Sequence, residues 1–496
     1  MKRRHFIYNS VAASLGAGLS SNVLAALEAM GQVNGDIHAV TGQGADISLL
    51  ASELTELKES LQGRLLLSGN EGYDQARRVL NASIDRHPAL IVQPSGAADV
   101  RTAVSFANAH ELLLAVKCGG HSPSGKSTCQ GGMQLDLSSM RGARVDLPAG
   151  TCHVAGGSHL RDLDHESMAQ GMVTTAGTVS HTGVGGLTTG GGFGRLARRF
   201  GLALDNVQSV DVVTANGQLV HASAKENPDL YWGVRGGGGN FGVVTNFEFK
   251  LHPMSRKVIA GNVMFPVSEM KNVLNFYSDY AASCPDELYL DFVALSQPGS
   301  SEGVVILHAC YSGPVDQADA VLAPIAKAGK AFQNTIAPVD YTTVQQAFDN
   351  NEPRVTGQYM KGGFVEEIPT GLIDEMVAGF KPEFGLFLLF QHSGGAINRI
   401  AVDATAFPHR YAVANLVCAV SWPVAESRDP YLAYLRSYWS NMQKYTYGWY
   451  TNEVGDEKPT IVNKNYQGNY ERLLKVKNQY DPGNLFRLNA NIQPAA

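Results

Sequence analysis

The sequence predicts an α+β chain in two parts, and three observations predict it. From residue 89 apolar runs alternate with helical periodicity. A hairpin and an alternating strand close this first block near residue 253. From residue 256 strand-like runs alternate with helical segments, as expected of an antiparallel sheet covered by helices. The 496 residues suffice for two or three domains, since one core seldom grows past about 250–300 residues.

Within the first block, residues 46–63 place Leu49, Leu50, Leu54 and Leu57 at helical spacing. Leu90-Ile91-Val92 reads as a strand, and residues 99–110 as a helix with Val100, Ala103, Val104 and Ala107 on one face. Residues 112–116 read as the next strand. Ala215-Asn216-Gly217 is a hairpin turn between two apolar runs. Val243, Thr245, Phe247 and Phe249 alternate with polar partners, the mark of a half-buried strand. In the second block residues 305–309, 386–390 and 412–420 read as strands, and 268–282 and 315–327 as helices. Residues 464–492, rich in Asn, Tyr, Arg and Lys, read as a closing segment that returns to the first block. No repeat of solenoid length is present.

A composition of 44% hydrophobic and 17% charged residues is that of a soluble globular protein. A formal charge of -6 and no basic stripe exclude a nucleic-acid partner, and the mature region offers no membrane span. Met1-Lys2-Arg3-Arg4-His5-Phe6-Ile7, followed by an Ala/Leu/Gly-rich stretch, predicts a twin-arginine leader over residues 1–30. Such a leader implies the Tat export machinery as a partner and a periplasmic or secreted product. The six cysteines form no dense framework, and no disulfide can be assigned from their spacing.

The 53 glycines cluster in three motifs. The first, Lys117-Cys118-Gly119-Gly120-His121-Ser122-Pro123-Ser124-Gly125, follows a strand; glycines there let backbone N–H groups approach an anion such as a pyrophosphate. A zinc reading of Cys118, His121 and Cys129 lacks a fourth ligand at the usual spacing, so no metal is expected. The second runs from Gly183 through Gly185, Gly186, Gly190, Gly191 and Gly192 to Gly194, and its glycine content predicts a loop wrapped around a ligand. The third contains a literal GxGxxG at Gly237, Gly239 and Gly242. A dinucleotide fingerprint needs a strand before it and a helix after it, whereas here a strand follows, so the Rossmann reading fails.

These motifs, in this order, with Asp205-Asn206-Val207, Asn227-Pro228-Asp229-Leu230, Phe241-Gly242-Val243-Val244 and Asn469-Tyr470-x-Arg472, resemble FAD-linked oxidoreductases of the vanillyl-alcohol oxidase type, berberine bridge enzyme-like branch. The resemblance implies a two-subdomain PCMH-type FAD-binding domain over residues 45–254 and a substrate domain over 255–455. It also implies a C-terminal berberine bridge enzyme-like segment over 456–496. It assigns flavin contacts to Lys117, Gly119, Gly120, Ser122 and Gly125, to the glycines of the second motif, and to Asp205, Asn206, Gly242, Val243, Val244, Asn469 and Tyr470. His121 would be joined to the flavin 8α-methyl carbon. Val179 stands where many members carry a second, cysteinyl link, so the bond would be single, as in 6-hydroxynicotine oxidase-like members.

The chemistry the resemblance implies is hydride transfer to the flavin from a substrate carbon bearing OH or NH. Tyr450, in Tyr450-Thr451-Asn452, matches the family's base, although a phenol of pKa ~10 needs nearby positive charge or hydrogen bonding to act as one. Gln391 and Asn398 match substrate-facing positions and would orient the substrate. Thr182, immediately before Gly183, matches the position that gates O2; its small side chain implies an oxidase releasing H2O2. The competing readings are a dehydrogenase of the same fold using a quinone or other acceptor, and a non-catalytic flavin-binding secreted protein.

Overall fold

The structure is a computed structural model that describes residues 33–349, 355–453 and 459–495. The leader expected over residues 1–30 lies outside them.

The first block contains a four-stranded sheet in the order Arg64–Leu67, Leu90–Gln93, Met133–Asp136, Leu114–Lys117, and its last three strands run parallel. A parallel strand is covered on both faces, which is why Leu90, Ile91 and Val92 are all fully buried. The helix Ala97–Ala109 lays Val100, Ala103, Val104 and Ala107 into the same core. The strand Leu114–Lys117 ends where the first glycine motif begins, so the sheet delivers His121 on a short tether.

A five-stranded antiparallel sheet follows, in the order Leu219–Ser223, Val207–Val213, Val243–Lys250, Thr151–Ala155, Ala143–Asp146. Its hairpin turns at Gly217, whose φ of +76° is costly for a residue with a Cβ. Leu473 and Val476 of the helix Tyr470–Tyr480, with Ile492, pack into the core of this sheet. Lys477 is fully buried there, paired with Asp481 at 2.6 Å and donating to the Asn240 carbonyl. The closing segment thus packs against the first block.

The second block is built on an antiparallel sheet of eight strands. Alternation along its strands separates two faces. Leu288, Leu290, Phe292, Leu386, Leu388, Phe390, Leu416 and Cys418 point into an apolar core under the helices Met270–Ser283, Thr370–Gly379 and Asp429–Met442. The intervening residues Asp291, His308, Gln391 and Asn415 belong to the opposite face, toward the first block. Three arginines after the second glycine motif fasten the blocks together. Arg195 donates to His308 and Gln345, Arg198 to the carbonyls of Leu288, Ser393 and Cys284, and Arg199 to that of Ser312.

Three expectations are corrected. Residues 46–63 are a strand, Asp46–Leu49, then a helix, Ala51–Ser60. Leu49 is buried as a strand residue and Leu50 is exposed, because the chain pairs with Ile37–Val40 before it coils. The second glycine motif contains a seven-residue α-helix, Val184–Gly190, where a loop is expected; Val184, Thr188 and Thr189 bury it and override weak propensity. The segment 315–327 breaks into Val315–Gln317, Ala318–Leu322 and Ile325–Lys327, with Pro324 between the last two.

Asp205 makes a two-oxygen ion pair with Arg410, both contacts at 2.8 Å and both side chains almost fully buried. Asp205→Asn leaves a buried guanidinium without its counter-charge, a change that typically costs about 3–5 kcal/mol. Urea unfolding should show that loss; a midpoint equal to wild type would exclude the pair as an inter-block clamp.

Candidate active site

One cavity of about 450 Å³ lies between the two blocks. Its walls bring together Gly119, Gly120, His121 and Ser122 of the first motif, Val179, Thr182, Gly183, Gly185 and Gly186 of the second, and Gly237, Gly238, Gly239, Gly242, Val243 and Val244 of the third. From the eight-stranded sheet come Gln358, Met360 and Gln391, and from the chain beyond it Tyr450, Thr451, Asn452 and Glu453. The three glycine motifs, far apart in sequence, thus meet on one ligand-sized space.

The first two motifs touch through their backbones. A Cβ on Gly119 would stand 2.4 Å from the Gly183 nitrogen, and one on Gly183 would stand 2.3 Å from the Gly119 nitrogen. A Cβ on Gly186, Gly238 or Gly239 would meet no atom within 4 Å. Those glycines line the cavity, so a side chain there would take up cavity space. This is the wall a long ligand held by backbone amides needs, and it fits the dinucleotide part of FAD.

His121 lines the cavity beside the second motif. Its Nε2 lies 2.7 Å from His181 Nδ1, and its Nδ1 lies 3.3 Å from the Thr182 hydroxyl. Val179, also on the wall, offers no thiol. The nearby Cys118 thiol donates to the Ser158 carbonyl, and burial pushes it up to about 11, so it is not a thiolate at neutral pH. Cys129 is likewise buried and pushed up to about 12, and all six cysteines are free. Among the described residues no cluster of three or more His, Cys, Asp or Glu is placed to hold a metal ion.

Tyr450 and Glu453 stand beside the eight-stranded sheet, where Glu453 meets Asn415. Gly190 and Gly191 permit their approach: a Cβ on Gly190 would strike Asn452 at 2.2 Å, and one on Gly191 would strike the Tyr450 ring at 2.9 Å. The Tyr450 hydroxyl accepts from the Gly192 N–H and from Asn452 Nδ2, each at 2.8 Å. Burial drives its pKa above the ordinary phenol value, which outweighs those two hydrogen bonds. Glu453 accepts from Asn415 Nδ2 at 2.8 Å, and Asn415 in turn donates to Gln391 at 3.3 Å. Burial raises the Glu453 carboxyl to about 7.

Several expected flavin contacts do not line the cavity and have structural partners. Lys117 is buried, donates to the Ala76 carbonyl and lies 3.7 Å from Asp136. Asp205 holds Arg410, Asn206 caps the Phe200 and Leu202 carbonyls, and Asn469 bonds the carbonyls of Val402 and Thr405. Tyr470 packs against the five-stranded sheet's core. Gly125, Gly192 and Gly194 abut Ile84, Ala203 and the Ala176 carbonyl. Asn398 donates to the Ala412 carbonyl, away from the wall that Gln391 joins. Sequence reading missed Glu453, whose only signal is its place one residue beyond the Tyr-x-Asn pattern.

Residues 88–223 match the FAD binding domain model, and residues 449–493 match the model described as berberine and berberine like. A FAD-linked oxidoreductase of Dictyostelium discoideum is 32% identical over 448 residues, covering 89% of this chain and 97% of that protein. (R)-6-hydroxynicotine oxidase of Paenarthrobacter nicotinovorans is 29% identical, covering 88% of this chain and 97% of that one. The crystal structure of 6-hydroxy-D-nicotine oxidase from Arthrobacter nicotinovorans superposes with a TM-score of 0.80 at 27% identity, over 88% of this chain and 99% of that one. A carbohydrate oxidase from Microdochium nivale shares the fold, with a TM-score of 0.81 at 22% identity over 89% of this chain and 99% of that one. The chain belongs to the FAD-linked oxidoreductases of the berberine bridge enzyme-like family, and it is an FAD-dependent oxidoreductase.

Proposed function

We propose that this enzyme carries FAD through one covalent bond to His121. It oxidises a small organic substrate at a carbon bearing OH or NH and returns the electrons to O2 as H2O2. The observation that carries the reading is the cavity itself, whose glycine walls bring His121 onto the same space as Tyr450, Gln391 and Glu453. FAD supplies the two-electron acceptor for hydride. The protein orients the substrate, with Gln391 and Tyr450 offering hydrogen bonds at the substrate sheet. A single bond to the flavin follows from Val179 and from the protonated, buried Cys118. Oxidase behaviour is supported by Thr182, a small side chain on the cavity wall that leaves room for O2. The relatives named as oxidases act on a hydroxynicotine and on carbohydrates, which suits this choice of substrate class.

The test is anaerobic mixing with a panel of secondary alcohols, sugars, aromatic hydroxyl compounds and cyclic amines. At least one should bleach the flavin, and air should then restore it rapidly with one H2O2 per turnover. Reoxidation over minutes, with fast turnover on a quinone, would establish a dehydrogenase instead. No bleaching by any compound would favour a non-catalytic flavin carrier.

The attachment is tested on denatured protein. Wild type should keep its yellow colour in acid, and a single flavin peptide should contain His121. Retention of acid-stable flavin by His121→Ala would contradict the link.

The leader motif Arg3-Arg4 supports export to the periplasm by the twin-arginine route, which carries folded, cofactor-loaded chains. Changing both to lysine should trap active enzyme in the cytoplasm; unchanged periplasmic activity would remove the export reading.

A further inference from the structure

We propose that Glu453 is the catalytic base, the carboxylate that takes the substrate's O–H or N–H proton, and that Tyr450 serves it as a hydrogen-bond donor. The proposal rests on the oxidoreductase reading above and assigns that site a further residue.

The Tyr450 hydroxyl has little left to give. A phenol has one O–H and two acceptor sites. Both acceptor sites are engaged, by the Gly192 N–H and by Asn452 Nδ2. The neutral phenol can therefore donate to a substrate heteroatom but has no lone pair left for its proton. The alternative, a resident phenolate, needs a neighbouring cation, whereas burial moves this phenol away from ionisation.

The other groups on the cavity wall narrow the choice. Cys118 is protonated and bonded to a carbonyl. Lys126 is a cation whose Nζ approaches the Thr451 carbonyl at 3.4 Å. Tyr466, like Tyr450, is a buried phenol shifted upward. His121 is committed to the flavin end. Among the described residues, Glu453 is the one carboxylate on the wall.

Its setting is built rather than incidental. Asn415, fully buried, fixes Oε2 at 2.8 Å and itself bonds Gln391 at 3.3 Å, so two residues from neighbouring strands orient one carboxylate. Oε1 has no hydrogen-bond partner among the described residues and is the atom available to the substrate. The titratable groups that interact with the carboxyl are Asp291, on the strand Leu288–Ser296, and Tyr450. Asp291 is satisfied by the Tyr289 hydroxyl at 2.6 Å and the His392 N–H at 3.0 Å. Burial pushes both Glu453 and Asp291 up to about 7, and Asp291 adds to the rise at Glu453. A base poised near neutrality is the one best suited to proton transfer at neutral pH.

In the step, the substrate O–H or N–H bond breaks and its proton passes to Glu453 Oε1. The electron pair left behind forms the C=O or C=N bond. The C–H bond breaks, and its pair leaves with the hydrogen as hydride to the flavin, the two-electron acceptor. Because the carboxyl is raised, it is protonated and inactive below about pH 7 and ionised above it. Flavin reduction should therefore rise with pH through about 7 and level off above.

Two measurements test this, one independent of turnover. Infrared difference spectra of the holoenzyme across the neutral range should show a carboxylic-acid C=O band titrating near 7, weakened in Glu453→Gln while acid-stable flavin content holds. In anaerobic reduction by whichever panel compound bleaches the wild type, Glu453→Gln should be slower by roughly 10²-fold or more and lose the rise with pH. Glu453→Asp, which keeps a carboxylate, should recover part of the rate and the pH dependence, and it serves if the glutamine variant folds poorly. Tyr450→Phe should slow reduction by roughly tenfold, the worth of one hydrogen bond, and keep the pH dependence. The proposal is overturned if Glu453→Gln reduces within a few fold of wild type with its pH profile intact, or if only Tyr450→Phe abolishes that profile. A panel that bleaches nothing would sink the function reading, while the infrared titration would still report on Glu453.

Discussion

The site depends on one close approach, the backbone contact between Gly119 and Gly183. These residues leave two different elements, the strand Leu114–Lys117 and the turn before the helix Val184–Gly190. With a Cβ positioned 2.3–2.4 Å from the facing nitrogen, any other residue would push the segments apart. Their contact sets His121 against His181 and Thr182, and with them the end of the cavity where the flavin link is proposed. The glycine helix just beyond then offers Gly186 to the cavity wall and Gly190 and Gly191 to the incoming Asn452 and Tyr450. One segment thus lines the cavity and packs against Asn452 and Tyr450.

The second block can present polar groups to that space because its sheet is anchored from behind. Leu290, Phe390 and Leu416 are fully buried under helices on the far face, which fixes the strand register. The neighbours of these residues in sequence, Asp291, Gln391 and Asn415, are thereby held on the near face. Arg195 and Arg198 join the same sheet to the glycine segment. The Arg195 guanidinium donates to His308 Nε2, and burial, with that arginine's charge, pushes His308 down to about 3, so it is a neutral acceptor. Beside the buried Asp205–Arg410 ion pair, the inter-block joint therefore rests on directed hydrogen bonds to carbonyls and neutral side chains, which suits a cavity whose walls come from both blocks.

Much of this was legible in the sequence. The helix face of Val100, Ala103, Val104 and Ala107, the Gly217 hairpin and the Val243–Phe249 alternation follow from periodicity, because each side chain needs only to find the core. The glycine motifs announced a ligand for the same reason that they misled about local structure. Weak helix propensity predicts a loop at Val184–Gly190, yet burial of Val184 and close packing on both sides make it a helix. Asp205, Asn206 and Asn469 look like cofactor contacts by motif, but their polar atoms go to Arg410 and to buried carbonyls, a matter of tertiary partners that no local pattern encodes. Glu453 was invisible for a related reason: its character comes from Asn415, 38 residues away, and from burial beside Asp291.

FAD is proposed to lie along the glycine walls with its ring system between His121 and the Tyr450–Glu453 corner. A crystal structure of the holoenzyme tests it most directly. Continuous density from His121 to the flavin 8α carbon is expected, with the hydride-accepting edge of the ring turned toward the space between Tyr450 and Glu453. Density showing the ring detached from His121, or turned with that edge away from Glu453, would contradict it.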